Sequence, residues 1–352
     1  MSEWQHGGQQ PSGWMWDGSA WVPEPRPGVI PLRPLGLGDI LGGSFRTIRS
    51  NPLAMIGLAA AVMCVVETIR VVSTYFLLRG VTDPAVITAS DGTATFHAAT
   101  VVRFVAVQAI VVIVTLFATA FLAGALTAAV GPAVLGQTAS ARRLWREAGS
   151  LIGRLLGAVL LIAVVVFGVV VLCALPGAIV LAVGAAADNN PTTVTGVVLI
   201  VVGVIGGILA GAYFQISFSL ATPIVMLEKL RVVDALRRSR GLVRGDWWRV
   251  LGITIVVSLI VGAVATAIAL PLDLAGGIGN VFSNEPANQA SLRALLFSGL
   301  GAFLGGALVQ PFAASAVALL YVDRRMRTEG LHITLQQAAA AGTSESPAAP
   351  TA

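Results

Sequence analysis

Long apolar runs alternate with short arginine-rich segments along this chain, and the length of the apolar runs decides its class. A helix that crosses the hydrocarbon of a bilayer takes about 20 mostly apolar residues. Six stretches qualify, at 52–78, 104–130, 155–187, 194–226, 250–272 and 292–322. The pattern predicts an all-α, polytopic membrane protein with six transmembrane helices. The third stretch is too long for one straight crossing. Pro176-Gly177 predicts a kink or an end within it, leaving 178–187 as an outer extension. Pro223 and Pro311 predict bends in the fourth and sixth.

The segments leading into the spans carry a helical period of their own. In 37–48, Leu37, Ile40, Leu41, Phe45 and Ile48 share a face opposite Asp39, Arg46 and Arg49. In 141–148, Ala141, Leu144, Trp145 and Ala148 do the same beneath Arg142, Arg143 and Arg146. With the basic segment before the fifth span, these predict three short amphipathic helices lying in the membrane interface. Residues 1–36 form a separate tail, in which Asp17-Gly18 is a tight-turn signal between the flanking tryptophans Trp14, Trp16 and Trp21. Two readings fit it: a small aromatic docking module or interfacial anchor, and a mobile tail with a transient turn. Pro23, Pro25, Pro27, Pro31 and Pro34 then enforce an extended spacer. The C-terminal tail, 332–352, ends in Ala, Ser, Thr and Pro and is expected to be disordered.

Of 352 residues, 56% are hydrophobic and 11% charged, against roughly a quarter charged in an average soluble domain. That is too little charge to cover a soluble surface. A soluble enzyme, a disordered chain and a disulfide scaffold are excluded. The first 50 residues are polar and Pro-rich, which leaves targeting to the first span. The net charge of +5 comes from arginine, Lys229 being the only lysine. Of 22 basic residues, 18 lie on the side of the two termini and 3 on the other (Arg79, Arg103 and Arg293). By the positive-inside rule both termini are expected in the cytoplasm, with the bundle in the cell membrane. The partner implied is the anionic headgroup layer and not nucleic acid, at about 1 kcal/mol per basic residue near the surface. No protein partner is specified by the sequence.

Catalytic signatures are sparse. There is no His-Glu-x-x-His, Gly-x-Ser-x-Gly or Gly-x4-Gly-Lys-Ser/Thr. His6, His97 and His332 are scattered and have no acidic or Cys cluster to complete a metal site, so no catalytic residue, metal or cofactor is expected. Cys64 and Cys173 lie in apolar runs at depths that differ by about 13 Å, too far apart for a disulfide. The nearest approach to chemistry is Glu67 and Arg70 in the first span, three apart on one helical face. Glu67 lies about 24 Å beyond Asn51 along a helix, which places the pair towards the outer interface. Structural pairing and a substrate or ion role both remain open for it. Gly203, Gly207 and Gly211 form a stripe at spacing four, a signal for close helix packing, and Gly301 and Gly305 repeat it in the sixth span.

The chain also repeats itself. At an offset of 195, Asp39 falls on Asp234, Leu41 on Leu236, Ser44 on Ser239, Arg49 on Arg244, Asn51 on Asp246 and Gly57 on Gly252. At 100, Arg46 falls on Arg146, Ser50 on Ser150 and Gly57 on Gly157. Pro132 aligns with Pro223 at 91, and Gln215 with Gln310 at 95. These registers predict three units starting near 37, 138 and 232, each an interfacial helix followed by a two-span hairpin. They bring Gln137, Glu228 and Asp323 to equivalent places where the even spans re-enter the cytoplasm, beside arginines of neighbouring interfacial helices. Structural ion pairs are expected there. With Arg237, Arg238 and Arg240, these residues are the candidate contacts of the cytosolic face.

Three stretches carry a family resemblance: Arg33-Pro34-Leu35-Gly36-Leu37-Gly38-Asp39-Ile40-Leu41 before the first span, 235–249 before the fifth, and 319–331 closing the sixth. Together they resemble a family of uncharacterised actinobacterial multi-pass membrane proteins. That family is similar to the membrane domain fused, in some proteins, to glycerophosphodiester phosphodiesterase catalytic domains. The resemblance covers roughly 33–331 and implies the membrane fold with no established activity. The catalytic barrel has no counterpart here. Trp16-Asp17-Gly18-Ser19-Ala20-Trp21 also resembles the Trp-Asp-Gly-x-x-Trp motif of short N-terminal modules on actinobacterial membrane proteins. The expectation is a membrane domain over 37–331 acting as a non-enzymatic scaffold or accessory protein. A small transporter or channel using the bundle interior is the alternative.

Overall fold

The computed structural model describes residues 14–16, 21–23, 34–81, 87–88, 95–96, 98–134, 140–187, 190–282 and 287–330. Gln137 and the C-terminal tail lie outside them. In the N-terminal tail, β1 (Trp14–Trp16) pairs antiparallel with β2 (Trp21–Pro23), Trp16 opposite Trp21; the Asp17-Gly18 turn falls outside the described residues. The other described residues are mainly helical, and six helical stretches are long and apolar enough to cross a membrane: Pro52–Phe76, Val105–Pro132, Arg142–Ala186, Asn190–Leu227, Trp247–Gly277 and Leu292–Glu329.

The first short helix, α1 (Leu37–Ser50), begins where the Gly36 N–H donates to Asp39 Oδ2 (3.0 Å). Its acid in the first turn and Arg49 in the last both complement the helix dipole. The buried face is Ile40, Gly43, Ser44 and Thr47, whereas Leu37 is 40% and Phe45 62% exposed. Of the expected apolar face, Ile40, Leu41 and Ile48 pack on the core, and Leu37 and Phe45 do not. Ser44 and Thr47 can be buried because each hydroxyl donates to a carbonyl one turn back (Ile40 O, 2.7 Å; Gly43 O, 2.8 Å). That leaves Leu37 and Phe45 round the helix, where lipid is an adequate solvent.

Next come α2 (Pro52–Val81) and α3 (Ala98–Val134), with a two-residue pair of strands, β3 (Ile87–Thr88) and β4 (Thr95–Phe96), between them. After them, α4 (Ala141–Ala186) is one unbroken helix. One expectation fails here, and of the kink or end expected at Pro176-Gly177 the end fails. The basic segment 141–148 is not a separate helix, because nothing between it and the span stops a helix as Asn51-Pro52 does after α1. Nor does α4 end at Pro176-Gly177; it runs through both. Its first turns nevertheless cross α3. Trp145 packs edge-on against Phe121, and a side-chain carbon added at Gly124 would strike Leu155. Ten residues along α4, about 15 Å, thus match only three along α3.

The fourth span is broken, not bent. It divides into α5 (Asn190–Ser217) and α6 (Ala221–Leu227) around a turn at 218–220. Pro223 has no N–H to donate to Ser219, and its ring crowds that carbonyl, so the helix restarts just upstream of it. Pro311, by contrast, sits inside a continuous helix. The chain closes with α7 (Val232–Arg244), α8 (Trp247–Phe282) and α9 (Ala287–Glu329). Val232 follows Leu37, and Trp247 follows Pro52, by the same 195 positions, so the first and third units begin alike. The middle unit differs. Gly57 and Gly252 face open space, but Gly157 abuts Val232 (3.0 Å from an added Cβ).

Helices α4 and α5 form a hairpin along a glycine seam. A Cβ at Gly203 would strike the Cys173 carbonyl oxygen, and one at Gly207 would lie 2.7 Å from Val170 Cα. Gly211 is looser, 3.2 Å from Val166 Cγ1. Beyond that seam the outer part of the hairpin is bare. From 159 to 206, the buried residues among those described are Gly177, Gly184 and Gly196. The hydrophobic core lies at the basic end instead, where Leu35, Ile40, Leu126, Leu144, Ile224 and Leu319 are fully buried.

Candidate functional site at the basic end of the bundle

Asp323, on the last turns of α9, has no solvent exposure. Its Oδ1 accepts from the Leu35 N–H (2.9 Å) and from Arg327 Nε (2.9 Å), and Arg249 Nη1 lies 3.0 Å from Oδ2. The last contact is an ion pair whose angles fall short of a hydrogen bond. The same two arginines also donate to the Leu35 carbonyl, Arg249 at 2.7 Å and Arg327 at 3.0 Å. Both polar atoms of the Leu35 backbone, just ahead of α1, are thus captured by side chains of α8 and α9.

The neighbouring Arg324 is also buried. Its Nε and Nη2 donate to the Leu242 carbonyl (2.9 and 2.8 Å), and its Nη1 to Asp246. Leu242 lies in the last turn of α7, where carbonyls lack intrahelical partners, so Arg324 caps that helix from α9. The bond from Arg324 holds the Asp246 carboxyl below the usual carboxylate range, against the opposing effect of burial.

Glu228 closes α6. Its Oε1 accepts from the Tyr321 hydroxyl (2.5 Å), and its Oε2 lies 3.3 Å from Arg238 Nε, with Arg325 at 3.9 Å. Arg238 also pairs with Glu329, which Arg325 reaches at 2.9 Å. Next to Glu228, Lys229 holds a left-handed backbone (φ 55°), and its carbonyl accepts from Arg154 (2.6 Å). Ser239 is buried on α7 and donates to the Ser217 carbonyl at the end of α5 (2.9 Å). The break in the fourth span frees that carbonyl.

Of the residues singled out in sequence, Glu228 and Arg238 therefore pair with each other, and Asp323 holds a separate network with Leu35, Arg249 and Arg327; both belong to the charged end of α9. Arg237 and Arg240 stay outside both, exposed on α7. Of the partners in these two groups, Tyr321, Arg325, Arg327 and Glu329 carried one signal in sequence. Pairs four apart (321/325, 323/327, 325/329) sit at the end of the sixth span.

Elsewhere, Arg70 Nε donates to Glu67 Oε2 (2.6 Å), and Glu67 is nearly buried. The pair borders a cleft of about 410 Å³ between α2 and α9, walled mainly by Val71, Val72, Leu296, Leu300 and Phe303. Both cysteines are free. Among the described residues no three His, Cys, Asp or Glu side chains gather to hold a metal.

Six apolar spans around a charged knot define an all-α, multi-pass membrane protein. Residues 35–324 match the family described as a domain of unknown function, DUF7847, and the chain belongs to that family. No curated protein and no solved structure matches it. The matched region opens at Leu35, whose N–H donates to Asp323, and closes one residue after Asp323 at Arg324.

Proposed function

We propose that the chain is a non-enzymatic scaffold or accessory protein of the cell membrane, with both termini in the cytoplasm. Its basic face engages anionic phospholipid headgroups. The observation that carries this reading is the division of charge at the basic end. Asp246, Asp323, Glu228 and Glu329 are taken up inside the frame by Arg238, Arg249, Arg324, Arg325 and Arg327. Arg237, Arg240 and Arg244 form an exposed stripe on α7 and have no acidic partner among the described residues. Surplus cations of this kind attract anionic lipid at about 1 kcal/mol each, roughly fivefold in local enrichment. The resemblance of 33–331 to membrane domains that accompany a separate catalytic barrel supports an accessory role. A transporter would need a polar path at mid-depth. The Glu67–Arg70 pair borders a mainly apolar cleft instead, which weighs against the transport reading.

The test is lipid selectivity of the full chain reconstituted in bilayers, read with spin-labelled phosphatidylglycerol and phosphatidylcholine. Several-fold preference for phosphatidylglycerol, falling with salt and weakened by the triple change of Arg237, Arg240 and Arg244 to Gln, is expected. Equal association of the two lipids at low salt would sink the reading.

A further inference from the structure

Where the first turns of α4 cross α2 and α3 they leave a crevice of about 460 Å³, within the range of sites that hold small ligands. Val65, Phe117, Phe121, Trp145, Gly149 and Ile152 form most of its wall, and the Trp145 indole nitrogen is the one polar side-chain atom there. Trp145 remains 53% exposed although its ring packs on Phe121 at 4.7 Å. Gly149 is an odd choice in the middle of a helix, where glycine costs about 1 kcal/mol against alanine. Close packing does not explain it: a Cβ there would meet nothing within 4 Å. What glycine does provide is open space.

Charge at the mouth of this crevice is unspent. Arg142, Trp145, Gly149 and Ile152 fall on one stripe of α4 by helical spacing, and Arg146 follows Trp145 directly. Arg143 is occupied by Glu147 (2.8 Å). Arg142 and Arg146 are exposed and have no acidic partner among the described residues. An apolar slot topped by two unpaired guanidinium groups is complementary to one kind of molecule, an amphiphile with an anionic head. Arginine's planar donor fork suits a phosphate, and a belt tryptophan marks the headgroup level.

We infer that the α2–α3–α4 crevice is a binding site for a single anionic phospholipid, an acyl chain against Gly149 and the phosphate on Arg142 and Arg146. The inference rests on the reading of the basic face given above. It adds a discrete site of fixed stoichiometry to what is otherwise a diffuse attraction.

Native mass spectrometry of the full chain in mild detergent separates the two. Long-chain phosphatidylglycerol, long-chain phosphatidylcholine and a short-chain phosphatidylglycerol are the probes. Wild type should retain one long-chain phosphatidylglycerol at least tenfold better than either of the others. Gly149→Phe and Ala61→Phe, which fill the slot from two different helices, should each lose that lipid tenfold while keeping the salt-dependent selectivity of the surrounding lipid in bilayers. Arg142→Gln with Arg146→Gln should erase the preference for phosphatidylglycerol over phosphatidylcholine. Retention unchanged in both filled variants would overturn the site and leave the basic-face reading standing. Equal binding of the short-chain lipid would also overturn it, by showing that the headgroup alone suffices. So would a wild-type dimer that Gly149→Phe converts to monomer, because the crevice would then be covered by a second copy.

Discussion

A carboxylate without solvent must be held from several sides, and Asp323 is. Asp323→Asn keeps the shape but strips Arg249 and Arg327 of their anion. Both arginines are about a third exposed, so water screens part of the loss. The expected cost is about 1–3 kcal/mol, seen as a lower melting temperature in detergent. Ser44 and Ser239 offer a sharper comparison, because they are equivalent at the offset of 195 and both buried. Ser44 bonds a carbonyl of its own helix, whereas Ser239 holds the otherwise freed carbonyl of Ser217. Ser239→Ala should cost about 1–3 kcal/mol and Ser44→Ala less than about 0.5 kcal/mol. Equal shifts in melting temperature would refute the assignment. Asp246 adds a pH dependence. Its carboxyl is held low in the folded state, so its pairing with Arg324 contributes fully above the usual carboxylate range. That contribution is lost only as the pH falls through and below it; Asp246→Asn should flatten the acid limb of the stability profile. The alignment showed that the two serines correspond. It could not show their partners, because the Ser217 carbonyl is freed by a break that Pro223 imposes and the fold then brings α7 to it.

At the scale of the element, proline is the instructive residue. Pro132, Pro176, Pro271 and Pro311 all lie inside continuous helices, and only near Pro223 does the chain break. A proline in a membrane helix frees one carbonyl, and the outcome depends on whether a neighbour takes it. At Pro223 that carbonyl is Ser219's; the break beside it also frees the Ser217 carbonyl, because the Ala221 N–H turns to Phe218, and Ser239 on α7 takes it. Sequence marks where such a carbonyl arises but not where a partner waits, which is why six spans were legible while the break in the fourth and the run of 141–148 into the third were not. The glycine stripe was more readable, since spacing four puts small residues on one face whatever they pack against. Gly203→Val should force α4 and α5 apart, because the first carbon added would already strike the Cys173 carbonyl. A loss of about 1–3 kcal/mol is expected, with faster proteolysis of the hairpin. Three residues on, Gly206 has nothing within 4 Å. Gly206→Ala should be neutral or stabilise by up to about 1 kcal/mol. If the two variants behaved alike, the seam would not be the contact that holds the hairpin.

At the scale of the whole molecule, core and charge share one end. The buried aliphatic residues, the ion-paired frame and the exposed arginines all gather where α1, α6 and α7 lie, while the far half of the α4–α5 hairpin is bare apart from its glycines. Apolar helices in lipid gain little from burying one another, whereas polar groups at a membrane surface gain from every partner. A bundle knit at one end is what that asymmetry favours. The same asymmetry fixes which way the molecule should face. By the count in sequence, eighteen basic residues fall in the segments on the side of the two termini and three in those on the other, a bias that predicts the basic side in the cytoplasm. The prediction can be tested without disturbing any charge. With Cys64 and Cys173 replaced by Ala, a single cysteine is placed at Gly241, exposed on α7 with open space around it, or at Ala187, exposed where α4 ends. In intact cells an impermeant thiol reagent should label Ala187→Cys and leave Gly241→Cys untouched until the membrane is opened. Labelling of Gly241→Cys from outside would reverse the orientation, and would put the arginine stripe beyond reach of the anionic inner leaflet.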